Sequence, residues 1–360
     1  MHRPFRSSSR ANAATTAAPG PNEAAADVMG LGFDQVVRLN GSRVEVVAPP
    51  ARGGDVLASF EAAAGATWPG CDLPFHGQDV LRVIGHDASR VAVVEGRIAV
   101  SVVRCSADLS TFPWSDGRRW SAIELYEPDG TFVTRRTFAD RVAVTALDGI
   151  TVDGISYLAV GLSTSGVRVV RADEPGLPDH HAVPADWRRD VARRDDREIV
   201  VAVRFGMMDD GRAMLVSAAI TFDGAAIVAT DVLDGRLLWS DNHQTAEPLR
   251  DRPTSVAVGR FGLAGVPTVS VAWSSGRLTL HDAGRGTRPF AVEGHPETPF
   301  VAQRFVTTDH GGRLLTLRRQ VGVVVLTAGT GAGARLVEVP TGATSRWRVR
   351  RRNKAVSVAV

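Results

Sequence analysis

The stretch Thr254–Gly286 reads TSVAVGRFGLAGVPTVSVAWSSGRLTLHDAGRG, and its punctuation decides the fold. Three short apolar runs, VAVGRF, PTVSVAW and RLTLHD, are separated by turns that carry glycine. Runs of this length, rich in Val, Thr and aromatics and bounded by Gly, Pro and Ser, read as strands. Ser274-Ser275-Gly276 is short enough for a tight hairpin, where glycine supplies the positive φ the turn needs. A lone three-stranded meander buries little. This one recurs.

Moving outward, the same order of runs and turns appears before and after it. Turn glycines fall at 154/166/176, 211/224/235, 265/276/286 and 312/322/331, so whole units repeat every 47 to 57 residues. An earlier unit begins at Arg90 with VAVVEGRIAVSVVRC. The dipeptide Arg-Phe returns near the end of the first strand as Arg204-Phe205, Arg260-Phe261 and Arg304-Phe305. Further upstream, Asn40-Gly41 between QVVRL and RVEVV is a strong hairpin signal.

Each unit alone is a small sheet with two apolar faces and no helix to cover them. Radial packing of such sheets buries both faces and leaves only short edges. The expected fold is therefore all-β, a single β-propeller of seven blades, with six as the alternative. The C-terminal KAVSVAV matches a first strand and the N-terminal QVVRL and RVEVV match a second and third. The ring is thus expected to close with strands from both termini. Residues 1–33 read as a disordered tail and residues 34–360 as the propeller domain.

Composition narrows the function classes. A hydrophobic fraction of 44% in 360 residues supports a real core. The net charge is +3 although the pI is 9.3, and Lys354 is the sole lysine among 42 basic residues. Arginine over lysine, with abundant Ala and Gly, is the mark of a GC-rich coding sequence. The charges are interspersed, so nucleic acid is not an expected partner. Cys71 and Cys105 cannot build a disulfide framework and lack metal-site spacing. No apolar run reaches the ~18–20 residues of a membrane span, and the first residues lack the apolar core of a secretory signal. The expectation is a cytoplasmic monomer with no membrane association.

Two dipeptides and two turns suggest a family. Gly85-His86 precedes VAVV, and Gly294-His295 precedes FVAQRF. Thr230-Asp231 and His281-Asp282 end third strands, each with a glycine four positions on, Gly235 and Gly286. Leu326-Thr327 takes that place in the last unit, followed by Gly331. Over about residues 80 to 331 the chain resembles the WD-repeat propellers, in their degenerate bacterial form. The resemblance implies that His86 and His295 join structural hydrogen-bond networks and that Asp231 and Asp282 mark the Trp-Asp position. It also implies a scaffold for protein–protein interaction.

Sequence offers little catalytic chemistry. Gly329-x-Gly331-x-x-Ala334 has dinucleotide-site spacing, but a strand, RLVEVP, follows where that site needs a helix. Gly161–Gly166 misses the nucleophile-elbow pattern by one residue and lies in a hairpin position. His180-His181 is an adjacent pair, and neighbours along a strand face opposite sides, so joint chelation is not expected. Trp239 and Trp273 read as blade-packing residues. The basic run Arg346–Lys354 reads as a solubilising edge or linker strand. No metal or cofactor is expected.

The informative departures are insertions. Strands alternate direction, so fourth-to-first and second-to-third connections share one face. Three long segments, 63–77, 104–119 and about 177–196, fall there. They carry Trp68, Phe112, Trp114, Trp187 and Arg188, residue types enriched at interface hot spots and placed on loops over a rigid scaffold. These five are the expected contacts for a protein partner. The competing expectation is a propeller enzyme, a hydrolase or lyase, with acids and histidines converging at the mouth of the channel.

Overall fold

Apolar runs without a helical period satisfy their backbone groups only by pairing with one another, and the Gly-bounded runs of this chain do so. The computed structural model describes residues 23–40, 43–49, 52–62, 90–106, 118–138, 142–164, 166–184, 199–221, 224–244, 251–287, 290–292, 296–297, 300–308, 311–318, 322–328, 334–338 and 356–357. The first sheet comprises Glu23–Ala26 (β1), Gln35–Asn40 (β2), Arg43–Val47 (β3) and Val56–Glu61 (β4). The second comprises Val91–Val94 (β5), Arg97–Ser106 (β6), Arg118–Tyr126 (β7) and Phe132–Thr137 (β8). Val144–Val152 (β9), Ile155–Leu162 (β10), Val167–Arg171 (β11) and Asp179–Val183 (β12) form the third. Ile199–Met207 (β13), Ala213–Thr221 (β14), Gly224–Asp231 (β15) and Leu237–Gln244 (β16) form the fourth. The fifth is Pro253–Phe261 (β17), Val266–Trp273 (β18), Leu278–Asp282 (β19) and Phe290–Val292 (β20). Phe300–Thr308 (β21), Gly311–Arg318 (β22), Gly322–Ala328 (β23), Ala334–Glu338 (β24) and Val356–Ser357 (β25) make the sixth.

Within each sheet the neighbours are consecutive and antiparallel, and the first strands β1, β5, β9, β13, β17 and β21 stand each against the next. This is a β-propeller. Its cores lie between adjacent sheets. Val37, Val44 and Val46 pack with Ile98 and Val100, while Ile123 and Leu125 pack with Leu158 and Val160. The middle strands β14, β15 and β18 are buried at almost every position, because a sheet sandwiched by two others has no solvent face. Among the described residues no helix is long and apolar enough to cross a membrane.

Two features of the termini differ from expectation. Strand β1 lies inside the stretch read as a tail, with Glu23 opposite Arg38 and Ala26 opposite Gln35. EAAA has weak strand propensity, and the open edge of β2 imposes the conformation. At the other end, β25 pairs with β24, Leu336 opposite Val356 and Arg335 opposite Ser357. It covers the outer edge of the sixth sheet instead of supplying the inner strand expected to close the ring, because an open edge offers unpaired backbone groups to any Val-rich segment. Six sheets stand among the described residues, and residues 63–89 lie outside them.

The inner strands share a device that no composition reveals. β9, β13, β17 and β21 each shift register by one residue near their start, at Thr145, Val201, Thr254 and Val301. Such bulges bend a strand and increase its twist. Where the bulged residue is threonine, its hydroxyl donates to the next sheet, Thr145 to the Val200 carbonyl and Thr254 to the Phe300 carbonyl. Close approach further along depends on glycine. A Cβ on Gly206 would stand 2.1 Å from Val258 Cγ1, and one on Gly259 2.3 Å from Phe305 Cβ.

The repeated Arg-Phe dipeptide now has a structural account. Arg204 reaches Asp148 of the third sheet at 3.1 Å, Arg260 reaches Asp209 of the fourth at 2.8 Å, and Arg304 reaches Asp34 of the first at 3.3 Å. Each arginine thus ties its inner strand to an acid on another sheet. Phe205 and Phe261 turn the other way and are buried in the cores between sheets.

Candidate functional site

The connections β4→β5, β6→β7 and β12→β13 span residues 62–90, 107–117 and 184–198, and strand alternation brings their ends to one face. Trp68, Phe112, Trp114, Trp187 and Arg188 belong to these connections and lie outside the described residues, as do His86 and His295.

A polar cluster from the fourth and fifth sheets is described on the same face. The turn from β18 to β19 carries Ser275 and Arg277, β16 carries His243, and Asp251 precedes β17. The Asp251 carboxylate accepts from Ser275 Oγ at 2.7 Å and from Arg277 Nη2 at 2.7 Å. His243 Nε2 stands 3.1 Å from the same guanidinium and 3.5 Å from Asp251 Oδ2. Arg277 lies over the Trp273 ring at 4.7 Å, and the His243 ring is 5.1 Å from it. The carboxylate sits between serine and histidine, so the hydroxyl has no imidazole to take its proton. A nucleophile relay needs the imidazole in the middle. The cluster instead holds an arginine, 17% exposed at its side chain, over the ring of a buried tryptophan.

Beneath it a buried network fixes the fifth sheet. Trp273 Nε1 donates to Thr279 Oγ1 at 2.9 Å, and His281 Nε2 stands 3.1 Å from the same hydroxyl. His281 is fully buried and stacks on Trp239 with centroids 5.7 Å apart, while its Nδ1 is 3.7 Å from Asp241 Oδ2. Trp239 Nε1 donates to the Ala283 carbonyl at 2.7 Å. Both tryptophans are blade-packing residues, as their strand positions suggest.

Asp231 and Asp282 end β15 and β19 on the face opposite the long connections. Asp231 Oδ1 accepts from Leu233 N at 2.9 Å, and Asp282 Oδ1 accepts from Gly284 N and Arg285 N, each at 2.9 Å. Their carbonyls accept from Gly235 N at 3.1 Å and Gly286 N at 2.8 Å. The two acids close equivalent turns.

The histidine pair departs from expectation. Val169 pairs with His181 and Val170 with Asp179, so His180 is the extra residue of a bulge. The bulge cancels the alternation, and the two rings meet at 5.0 Å. His180 Nε2 is 2.8 Å from the Leu233 carbonyl of the fourth sheet. Both ring nitrogens of His181 are buried without a hydrogen-bond partner. Burial, then the neighbouring His180, lowers the His181 pKa to about 4. Elsewhere, burial pushes the Asp148 carboxyl above its ordinary value despite Arg204. Among the described residues no group of three or more His, Cys, Asp or Glu could hold a metal ion.

Sequence reasoning missed Asp251, His243 and Arg277, which come from three strands or turns and carry no shared motif. The glycine turn at Ser274–Gly276 marks the place, but the partners of Arg277 are visible only in three dimensions.

No known family profile matches the chain, and none of the curated proteins matches it in sequence. Solved structures do match. The Cps50 (Swd1) β-propeller domain of Myceliophteria thermophila superposes with a TM-score of 0.51 at 11% identity, covering 85% of this chain and 82% of that one. BBS1N, in a complex with ARL6DN, gives 0.52 at 12% identity over 90% and 79%. U3-55K gives 0.50 at 14% identity over 83% and 75%. At such identities the likeness speaks for the propeller fold alone.

Proposed function

We propose that this propeller is a protein-interaction scaffold that engages its partner through the face of the long connections. The observation that supports the proposal is that the strand ends bounding the connections 62–90, 107–117 and 184–198 stand on one face of the sheets. Their Trp68, Phe112, Trp114, Trp187 and Arg188 are the contact residues of this reading, to which it adds the Arg277–Trp273 stack. Aromatic and arginine anchors on loops are the usual carriers of interface energy. BBS1N, which shares the fold, is known in a complex with ARL6DN, and the WD-repeat resemblance leads in the same direction. The proposal includes a cytoplasmic monomer that works without a cofactor.

The test is affinity capture with the intact protein and with a Trp114→Ala/Trp187→Ala variant, after equal thermal stability has been established. A partner set that depends on the two tryptophans is the expected result. Recovery of the same partners by both proteins refutes the long-connection face.

A further inference from the structure

Strand β12 is the outer edge of the third sheet, and both of its histidines meet the fourth. It pairs with β11, from Val167 opposite Val183 to Val170 opposite Asp179, with His180 as the extra residue of its bulge. His180 Nε2 donates to the Leu233 carbonyl at 2.8 Å. The His181 ring packs so closely on Gly235 that a Cβ there would stand 2.8 Å from Cδ2. The β15→β16 turn of the fourth sheet therefore rests on this one edge strand.

The layer beneath the strand is polar and unbonded. His181 stands opposite Val169, while on the fourth sheet Thr230 stands opposite Leu215 and Asn242 opposite Ala226. Those three apolar neighbours belong to the core between the third and fourth sheets, so the three polar side chains face the same layer. Both ring nitrogens of His181, both amide atoms of Asn242 and Thr230 Oγ1 are buried without a hydrogen-bond partner among the described residues. Such groups forgo their bonds to water and regain them when the layer opens. Nearer the inner strands the same boundary is well bonded. Thr145 donates to the Val200 carbonyl, and Asp148 accepts from Arg204 and from the Phe205 N–H.

We propose that β12 is an acid-released strand, which leaves β11 and the fourth sheet when its histidines take up protons while the inner strands stay joined. Release bares the backbone edge of β11. The groups around the two rings set the direction. Tyr157 of the third sheet lies 5.0 Å from His180, with Arg171 over it at 5.9 Å and held by Asp173 and Glu174. Asp179 on β12 itself is paired with Arg136 at 2.8 Å and Arg168 at 3.8 Å. Asp231 and Asp234 face His181 from the fourth sheet, with Arg212 3.9 Å from the first and Arg236 3.8 Å from the second. Arginines thus match the nearby acids, and burial prevails. The His181 pKa falls from 6.5 to about 4 in place, so protons favour the released strand as pH drops through that range. Asp148, whose shift has the opposite sign, lies at the inner strands.

The test is backbone amide exchange in the full chain, followed by mass spectrometry at pH 7 and pH 5 and from zero to about 2 M urea. Amides of β12 are expected to exchange through an opening that urea hardly promotes, while those of β14 follow global unfolding. Corrected for intrinsic rates, β12 protection in the absence of urea is expected to fall about tenfold from pH 7 to pH 5. His181→Leu should abolish that fall. His181→Phe, which keeps a ring against Gly235 and takes no proton, serves as a second variant should the first melt early. The equivalent edge strand β16 is expected to lack the acid response. Protection of β12 that depends on urea as steeply as that of β14 overturns the proposal. So does an acid response that survives in both His181 variants, or one that β16 shows equally.

Discussion

Arg204 on β13 and Asp148 on β9 are bonded across a sheet boundary, Nη1 to Oδ1 at 3.1 Å, while the backbone N–H of Phe205 takes the other carboxylate oxygen at 2.7 Å. One carboxylate thus fixes both the side chain and the main chain of the neighbouring inner strand. Removing it by Asp148→Ala is expected to cost about 1–2 kcal/mol, the partly exposed pair being discounted for solvent screening. Asp148→Asn retains an acceptor and is expected to recover part of the loss in thermal melting. Burial raises the folded-state pKa of this carboxyl. Protonation of this carboxyl therefore adds stability, separate from the ion pair, that is fully present below the ordinary carboxylate pKa and is lost as pH rises through the raised value. The Asn variant should lack that component of the pH profile.

His181 has the opposite sign. Its pKa is lowered to about 4 from 6.5, chiefly by burial, so the unfolded chain binds the proton more readily than the folded one. The stabilisation is present above the unfolded value of 6.5 and is lost as pH falls through the folded value of about 4. The loss is about 1 kcal/mol once partial exposure is allowed for. His181→Leu should flatten this acid limb in denaturant titrations across that range.

Close approach of the inner strands predicts an asymmetry among glycines. Gly206→Ala places a methyl 2.1 Å from Val258 Cγ1 and is expected to destabilise by about 2 kcal/mol or more. Gly206→Ala combined with Val258→Ala should lose less than the sum of the two single changes, which a double-mutant cycle measures. Gly211, at φ 82 with nothing within 4 Å of the place a Cβ would take, should tolerate Asn at little cost.

Thr279 serves two buried groups at once, Trp273 Nε1 at 2.9 Å and His281 Nε2 at 3.1 Å. Thr279→Val strands both and is expected to cost about 2–3 kcal/mol, while Thr279→Ser restores the hydroxyl and most of the stability. Urea melts of the two variants decide the point. A Thr279→Val variant as stable as the unchanged protein would remove the network from the account.

Much of the architecture was legible because it is repetitive. Turn glycines such as Gly154, Gly235 and Gly276 stand where the φ values are 79, 70 and 84, a conformation other residues adopt at a cost. Strand β24 begins at Ala334, where a dinucleotide site would need a helix. The Arg-Phe dipeptide was visible as a recurrence, but its meaning was not, since the acids Asp148, Asp209 and Asp34 stand on other sheets, 56, 51 and 270 residues from their arginines.

By itself the sequence determined that the chain is all strand and turn, where the hairpins close, and that the units repeat at the spacing of propeller blades. These are local matters of periodicity and backbone freedom, settled within a few residues. Tertiary structure alone decided that β1 is ordered at Glu23, that β25 covers an outer edge, and that a bulge joins His180 to His181. It alone gathered Asp251, His243 and Arg277. Those outcomes depend on which open edge or buried group lies nearby in space. A pattern read along the chain contains no term for that.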